Sequence, residues 1–255
     1  MNIFIESLSF NYGSKIIFEN FSLALNNKSG LPVVILGPSG CGKTTLLKIV
    51  AGLLTPEKGE LRREKDSETI HDPHIRSGAA FVFQEPRLLP WFTVLENISL
   101  PLEKIFGKKE SRERALHFLD QVSLADKASV YPDKISGGQL QRASIARAFA
   151  YPSDLLLMDE PFHSLDIPLR IELMELCLSL LEKEKRLSLA ITHDPREAVF
   201  MGSRIIILGQ PPCGIVFDRE VQLAKTERGY GAASTLELEK AIIENLRRKQ
   251  APSEA

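Results

Sequence analysis

Apolar and polar residues alternate with a period of two at the start of the chain, where Ile3 and Ile5, then Phe21, Leu23 and Leu25, stand between polar neighbours. That period puts every second side chain on one buried face and predicts two β-strands, with a turn at Asn11-Tyr12-Gly13-Ser14 between them. The pattern then changes. Val33–Leu36, Ala79–Phe83, Leu155–Met158, Ser188–Ile191 and Arg204–Leu208 are short, nearly unbroken apolar runs, as expected of strands covered on both faces. Between them the spacing becomes helical: Lys43–Ala51 ended by Gly52, Thr93–Leu100, Glu110–Val122, Gln139–Ala150, Pro168–Lys185 with Asp166 as N-cap, and Pro195–Met201.

Alternating strands and helices predict a largely parallel sheet covered by helices, an α/β fold. The helix-rich stretch from about residue 86 to 151 reads as a helical subdomain inserted between two α/β halves. In the tail, Ser234 and Glu237 form a capping-box pattern before a helix whose Leu238, Ile242 and Leu246 share a face. Pro211-Pro212-Cys213-Gly214 reads as a turn, and the residues after Gln250 as an unstructured end. The segment from Glu60 to Ser77 is polar and lacks a Gly-turn hairpin, which argues against strand pairing there.

Composition narrows this picture modestly. The 255 residues suffice for a substantial core, and 44% hydrophobic with 25% charged residues is ordinary for a globular protein. A net charge of −1 offers no basic footprint for nucleic acid. Cys41, Cys177 and Cys213 are scattered without metal-ligand spacing and read as free thiols of a reducing compartment. His71 and His74 read as solvent-facing residues of a polar loop. The first residues lack a signal-peptide pattern and no run approaches the length of a membrane span, so work at a membrane would need a partner chain.

The candidate chemistry begins at Gly37-Pro38-Ser39-Gly40-Cys41-Gly42-Lys43-Thr44-Thr45, directly after an apolar strand and opening a helix. Its glycines let backbone N–H groups turn inward around an anion, and the helix start adds unsatisfied N–H groups and a positive dipole end. Lys43 would reach terminal phosphates and the Thr44 hydroxyl would ligate Mg²⁺. Asp159, at the end of the strand Leu155–Met158, falls beside that loop as a second Mg²⁺ ligand, and Glu160 after it is placed to polarise an attacking water. Ser136-Gly137-Gly138-Gln139 is a capping box with two glycines in the first turn, where each costs up to about 1 kcal/mol relative to Ala. Glycines there let an anion approach a helix N-terminus closely, so the chain carries two phosphate-binding surfaces. Two copies associated head to tail would sandwich one nucleotide between them.

Gly37–Thr45, Ser136–Gln139 and Leu155–Glu160, in that order, resemble the nucleotide-binding subunits of ABC transporters, and the resemblance runs from about Ile3 to Leu208. It implies a P-loop NTPase with a mostly parallel sheet, an N-terminal antiparallel β subdomain and an inserted helical subdomain: an ATPase domain over 1–210 and a C-terminal extension over 211–255. It further implies that Tyr12 stacks on adenine and that Gln84 contacts Mg²⁺ and the attacking water. Ser164-Leu165-Asp166 would cross between two subunits, and His193 would contact the γ-phosphate. ATP and Mg²⁺ are the implied cofactors. The implied partners are a second copy of the chain, an integral membrane permease and, indirectly, an external substrate-binding protein.

The text around Gln84, with Leu88-Leu89-Pro90-Trp91 and then Thr93-Val94 and Asn97, resembles importers of the nitrate, sulfonate and taurine type. In such importers this region receives a permease helix; Leu88, Leu89 and Trp91 suit either that docking or the subdomain's own core. His163 and Ser164 depart from the Gly and Ala usual there. The resemblance implies residence at the cytoplasmic face of the inner membrane. A soluble ATPase of the same class acting on nucleic acid or the ribosome is the competing reading; such proteins commonly carry two cassettes or a long coiled-coil insertion, which this chain lacks.

Overall fold

Two sheets of opposite character carry the architecture, seen in a computed structural model that describes residues 1–26, 30–65, 68–70, 78–163, 165–184 and 186–248. The strands β1 (Asn2–Tyr12), β2 (Lys15–Asn26), β4 (Lys58–Lys65) and β5 (Glu68–Ile70) form an antiparallel sheet in the order β2-β1-β4-β5. The second sheet combines β3 (Val33–Leu36), β6 (Ala80–Val82), β7 (Leu155–Asp159), β8 (Leu187–Ile191), β9 (Arg204–Leu208) and β10 (Ile215–Glu220) in the order β10-β9-β3-β8-β7-β6. All its pairs are parallel except the edge pair of β10 with β9.

The unbroken apolar runs are explained by burial on both faces. Val34, Leu36, Leu156 and Met158 join a core with the helices, whereas Val33, Ile35, Leu155 and Leu157 face the antiparallel sheet and α1 (Lys43–Val50). The first core is completed by α2 (Val94–Ser99), α3 (Glu103–Gln121), α4 (Gly137–Ala150), α5 (Ile167–Glu184), α6 (Pro195–Met201) and, through Ile242, α7 (Leu236–Arg248). Because the alternate residues of one strand serve different cores, a single polar substitution in β3 or β7 would expose the flaw to one layer only.

Three local expectations need correction, and one strand was not foreseen. The polar stretch after Glu60 does pair: β4 lies between β1 and β5, with Leu61 packed inward and the buried Arg63 donating to the Val50 carbonyl at 2.6 Å. Helix α3 begins at Glu103 rather than Glu110, broken at Gly107 (φ 76°, ψ 168°). Ser234 does not cap α7; its hydroxyl donates to the Glu227 carbonyl at 2.5 Å, and Thr235 Oγ1 meets Glu239 Oε1 at 2.6 Å instead. The strand β10 follows the Pro211–Gly214 turn unannounced and is pinned by Arg204, whose guanidinium donates twice to Asp218 at 2.7 and 2.5 Å. The expected Asp166 cap is present, with the Leu169 N–H donated to its Oδ1 at 3.0 Å. Ser164, His71, His74 and the residues after Gln250 lie outside the described residues.

Candidate active site

The loop between β3 and α1 turns on Gly42 (φ 99°, ψ 8°), the residue just before the helix. A Cβ there would stand 2.6 Å from Cγ2 of Ile17 in β2, so backbone conformation and packing both demand glycine. Lys43 Nζ donates to the Gly37 and Pro38 carbonyls at 2.8 and 3.0 Å, folding the loop over its own lysine. Cys41 is buried beneath the loop; the Cys213 thiol donates to its carbonyl and bears on its sulfur, lowering that thiol to about 7 against the opposing effect of burial. The Cys213 N–H in turn donates to Ile17 at 2.8 Å, tying loop and antiparallel sheet together.

Above the loop opens a cleft of about 590 Å³, lined on this side by Gly37, Ser39, Gly40, Gly42, Lys43, Thr44 and Thr45. Tyr12, 49% exposed and edge-to-face with Phe10, forms its outer wall. The opposite wall comes from neighbouring strand ends. Asp159 pairs with Ile191 across β7 and β8, so the residues that follow, Glu160 and His193, emerge side by side. Thr44 Oγ1 donates to Asp159 Oδ1 at 3.2 Å, joining the two walls. Burial raises the Asp159 carboxyl above the usual carboxylate range, Glu160 adding to the rise, while the Thr44 hydrogen bond, Lys48 and Lys43 oppose it.

Glu160 is left-handed (φ 47°), a conformation costing a non-glycine residue about 1 kcal/mol or more, and its N–H is held by the Ile191 carbonyl at 3.0 Å. Its Oε2 lies 3.3 Å from Nδ1 of His193. His193 is steadied from both sides: Thr192 Oγ1 donates to the buried Glu197 at 2.5 Å, and Asp194 accepts from the Tyr230 hydroxyl at 2.9 Å. Arg170 lies 3.4 Å from both acids and donates to the Leu165 carbonyl at 2.9 Å, linking the segment before α5 to the one before α6.

The remaining predicted residues stand apart from this cleft. Gln84 is exposed beyond the end of β6 and does not line it. Ser136 and Gln139 form the expected capping box at the start of α4, also outside the cleft. A Cβ on Gly137 meets nothing within 4 Å, whereas one on Gly138 would lie 2.6 Å from Leu169. The helix start is therefore open at Gly137 and packed against α5 at Gly138. Asp166 is exposed beside it. Lys15, Ile17 and His163 line the cleft and were not among the predicted site residues.

The Leu88–Thr93 loop is organised by Asn97 of α2. Its Nδ2 donates to the Leu89, Phe92 and Thr93 carbonyls at 3.0, 3.1 and 3.0 Å, and its Oδ1 accepts from the Leu89 N–H at 2.6 Å. Leu88 packs on the core, while Trp91 is 67% exposed. Asn97→Ala should cost about 1–3 kcal/mol, the range for orphaning buried polar groups. Trp91 is the sole tryptophan, so its fluorescence anisotropy should fall in the same variant while urea denaturation reports the lost stability.

Residues 18–163 match the family model described as ABC transporter. The chain is 37% identical over 235 residues to the aliphatic sulfonates import ATP-binding protein SsuB 1 of Mesorhizobium japonicum, covering 92% of this chain and 84% of that protein. It is 35% identical over 244 residues to SsuB of Yersinia pestis, covering 96% and 85%. Among solved structures, the dimeric post-hydrolysis state of the ATP-binding cassette MJ0796 bound to ADP and Pi superposes with a TM-score of 0.70. That match has 32% identity and covers 87% of this chain and all of that one.

Proposed function

The chain belongs to the ABC transporter family, and from that membership we propose that it is the ATP-hydrolysing subunit of an importer for an aliphatic sulfonate or a similar small solute of the nitrate and taurine kind. The observation that carries this reading is the convergence of Lys43, Thr44, Glu160 and His193 on one cleft, with Asp159 hydrogen-bonded to Thr44 at its edge, from elements more than a hundred residues apart. The two SsuB relatives named above are import ATP-binding proteins, which weighs against a soluble role on nucleic acid or the ribosome.

Backbone N–H groups of Gly37–Thr45 and the Lys43 ammonium hold the phosphates of ATP, and Tyr12 offers its ring to adenine. Thr44 and Asp159 would hold Mg²⁺: their facing oxygens, 3.2 Å apart, are the hard donors that this cation prefers. Held there, Mg²⁺ would neutralise charge on the phosphate oxygens. Glu160 orients water and accepts its proton, while Lys43 and His193 stabilise the charge developing on the γ-phosphate. Gln84, outside the cleft, enters on the family motif alone, as contact to Mg²⁺ and water. The Ser136–Gln139 start of α4 from a second copy closes over the nucleotide, with Ser164 and Asp166 at the crossing, in keeping with the dimeric relatives.

The proposed ATPase domain is 1–210, with a helical subdomain over about 86–151 and an extension over 211–255. No helix among the described residues is long and apolar enough to cross a membrane. A permease helix docking near Trp91 would hold the protein at the cytoplasmic face, with an external binding protein delivering solute to the far side. The test is reconstitution with the permease in liposomes. ATP-dependent uptake of a labelled alkanesulfonate is the expected result; failure of the chain to associate with the permease at all would sink the reading.

A further inference from the structure

His163 stands inside the cleft without a part in the mechanism above. It follows Glu160 across a tight turn, its N–H donated to the Glu160 carbonyl at 3.3 Å. Its Nδ1 lies 3.1 Å from Nε2 of His193, with the two rings 4.4 Å apart and inclined at 71°. The other nitrogen of His193, Nδ1, is the one 3.3 Å from Glu160 Oε2. A carboxylate cannot donate and repels a ring lone pair, so this contact favours the tautomer with its hydrogen on Nδ1, and in the neutral ring Nε2 is left as an acceptor. The donor to it is therefore Nδ1–H of His163. A phosphate oxygen also only accepts, so it needs a hydrogen on that same Nε2. His163 and the γ-phosphate thus make opposite demands on one nitrogen.

We propose that His163 is a positioning residue that holds His193 against Glu160 and must give up Nε2 to the γ-phosphate, so that it weakens binding of a nucleoside triphosphate but not of a diphosphate. This rests on the reading of the cleft as an ATPase site. The diphosphate does not reach His193 and leaves the histidine pair intact; the triphosphate binds only at the expense of their hydrogen bond.

Calorimetry of the full chain with Mg²⁺ and either AMP-PNP or ADP tests this in four forms: wild type, His163→Ala, His163→Phe and His163→Asn. Asn presents an N–H donor close to the place of Nδ1. The Ala and Phe variants should bind AMP-PNP about two- to twelve-fold more tightly, the span of one hydrogen bond. Their ADP affinity should not change, and Asn should return the wild-type values. A merely structural role would move both nucleotides together and overturns the proposal. So does an unchanged AMP-PNP affinity in the Ala variant, or an Asn variant that behaves like Ala. The ¹⁵N resonances of the nucleotide-free protein give an independent reading: Nε2 of His193 should be unprotonated and hydrogen-bonded in the wild type, and lose that bond in His163→Ala. Wild type that binds neither nucleotide would defeat the ATPase reading, and the ¹⁵N measurement would still decide whether His163 holds His193.

Discussion

Glu160→Gln retains ATP binding and slows hydrolysis by roughly 10²–10⁴-fold, the contribution of a well-placed general base. The amide keeps the length of the side chain, and its oxygen can still face Nδ1 of His193, 3.3 Å from the present carboxylate. The phosphate loop, Lys43 and the Thr44–Asp159 pair are untouched, so the nucleotide remains held. What the amide lacks is the capacity to take a proton from water. ATP should therefore accumulate on the protein together with an ATP-dependent dimer, read by single-turnover kinetics and size-exclusion chromatography. Turnover at the wild-type rate would remove Glu160 from its role. Glu160→Gly separates chemistry from folding: it relieves the left-handed strain at φ 47° and should raise stability by about 1 kcal/mol while turning over as slowly.

Much of the fold was legible because both cores write themselves into short apolar runs. Val33–Leu36 and Leu155–Met158 contain no polar break, since each strand serves a core on either side. The misses fall where charge does structural work at an edge. In β4, Arg63 reads as a surface residue but is buried with its head on the Val50 carbonyl. In β10, Asp218, Arg219 and Glu220 hide a strand that only the Arg204 pair and its register with β9 make plain. The early start of α3 was masked by Gly107, a residue that ends a helical pattern on paper and only kinks the helix here.

In the site, the motifs that are local in sequence could be read directly, because a phosphate loop and a strand-end acid need only their own segment to make sense. The contact of His163 with His193 spans 30 residues and depends on two strands ending side by side, which no spacing rule predicts. His163 was visible as a departure from the family text, but its meaning lay in the partner. The two glycines of Ser136–Gln139 show the opposite error. Both suggested an opening for an anion, yet Gly138 is explained by Leu169 packed where its side chain would be, leaving Gly137 alone to mark the open surface.

That distinction supports the second large effect. Gly137→Glu should fold at least as well as the wild type and lose at least about 100-fold in turnover, the equivalent of about 2.7 kcal/mol. A Cβ at this position meets nothing within 4 Å. Replacing glycine in the first turn gains about 0.5–1 kcal/mol of helix propensity, and a carboxylate near a helix N-terminus gains a further 0.3–1 kcal/mol or so. In a dimer the same carboxylate would face the phosphates bound by the partner copy, a like-charge contact costing several kcal/mol. Thermal melting should show no loss of stability and nucleotide binding to the isolated chain should be normal, while ATP-driven dimerisation fails. Lys43→Ala fails for the other reason, by crippling its own loop. Mixed, the two inactive variants form a hybrid in which the intact loop of one faces the intact helix start of the other, and ATPase activity returns. Undiminished turnover by Gly137→Glu alone would mean that each copy works by itself, and the shared site would have to be abandoned.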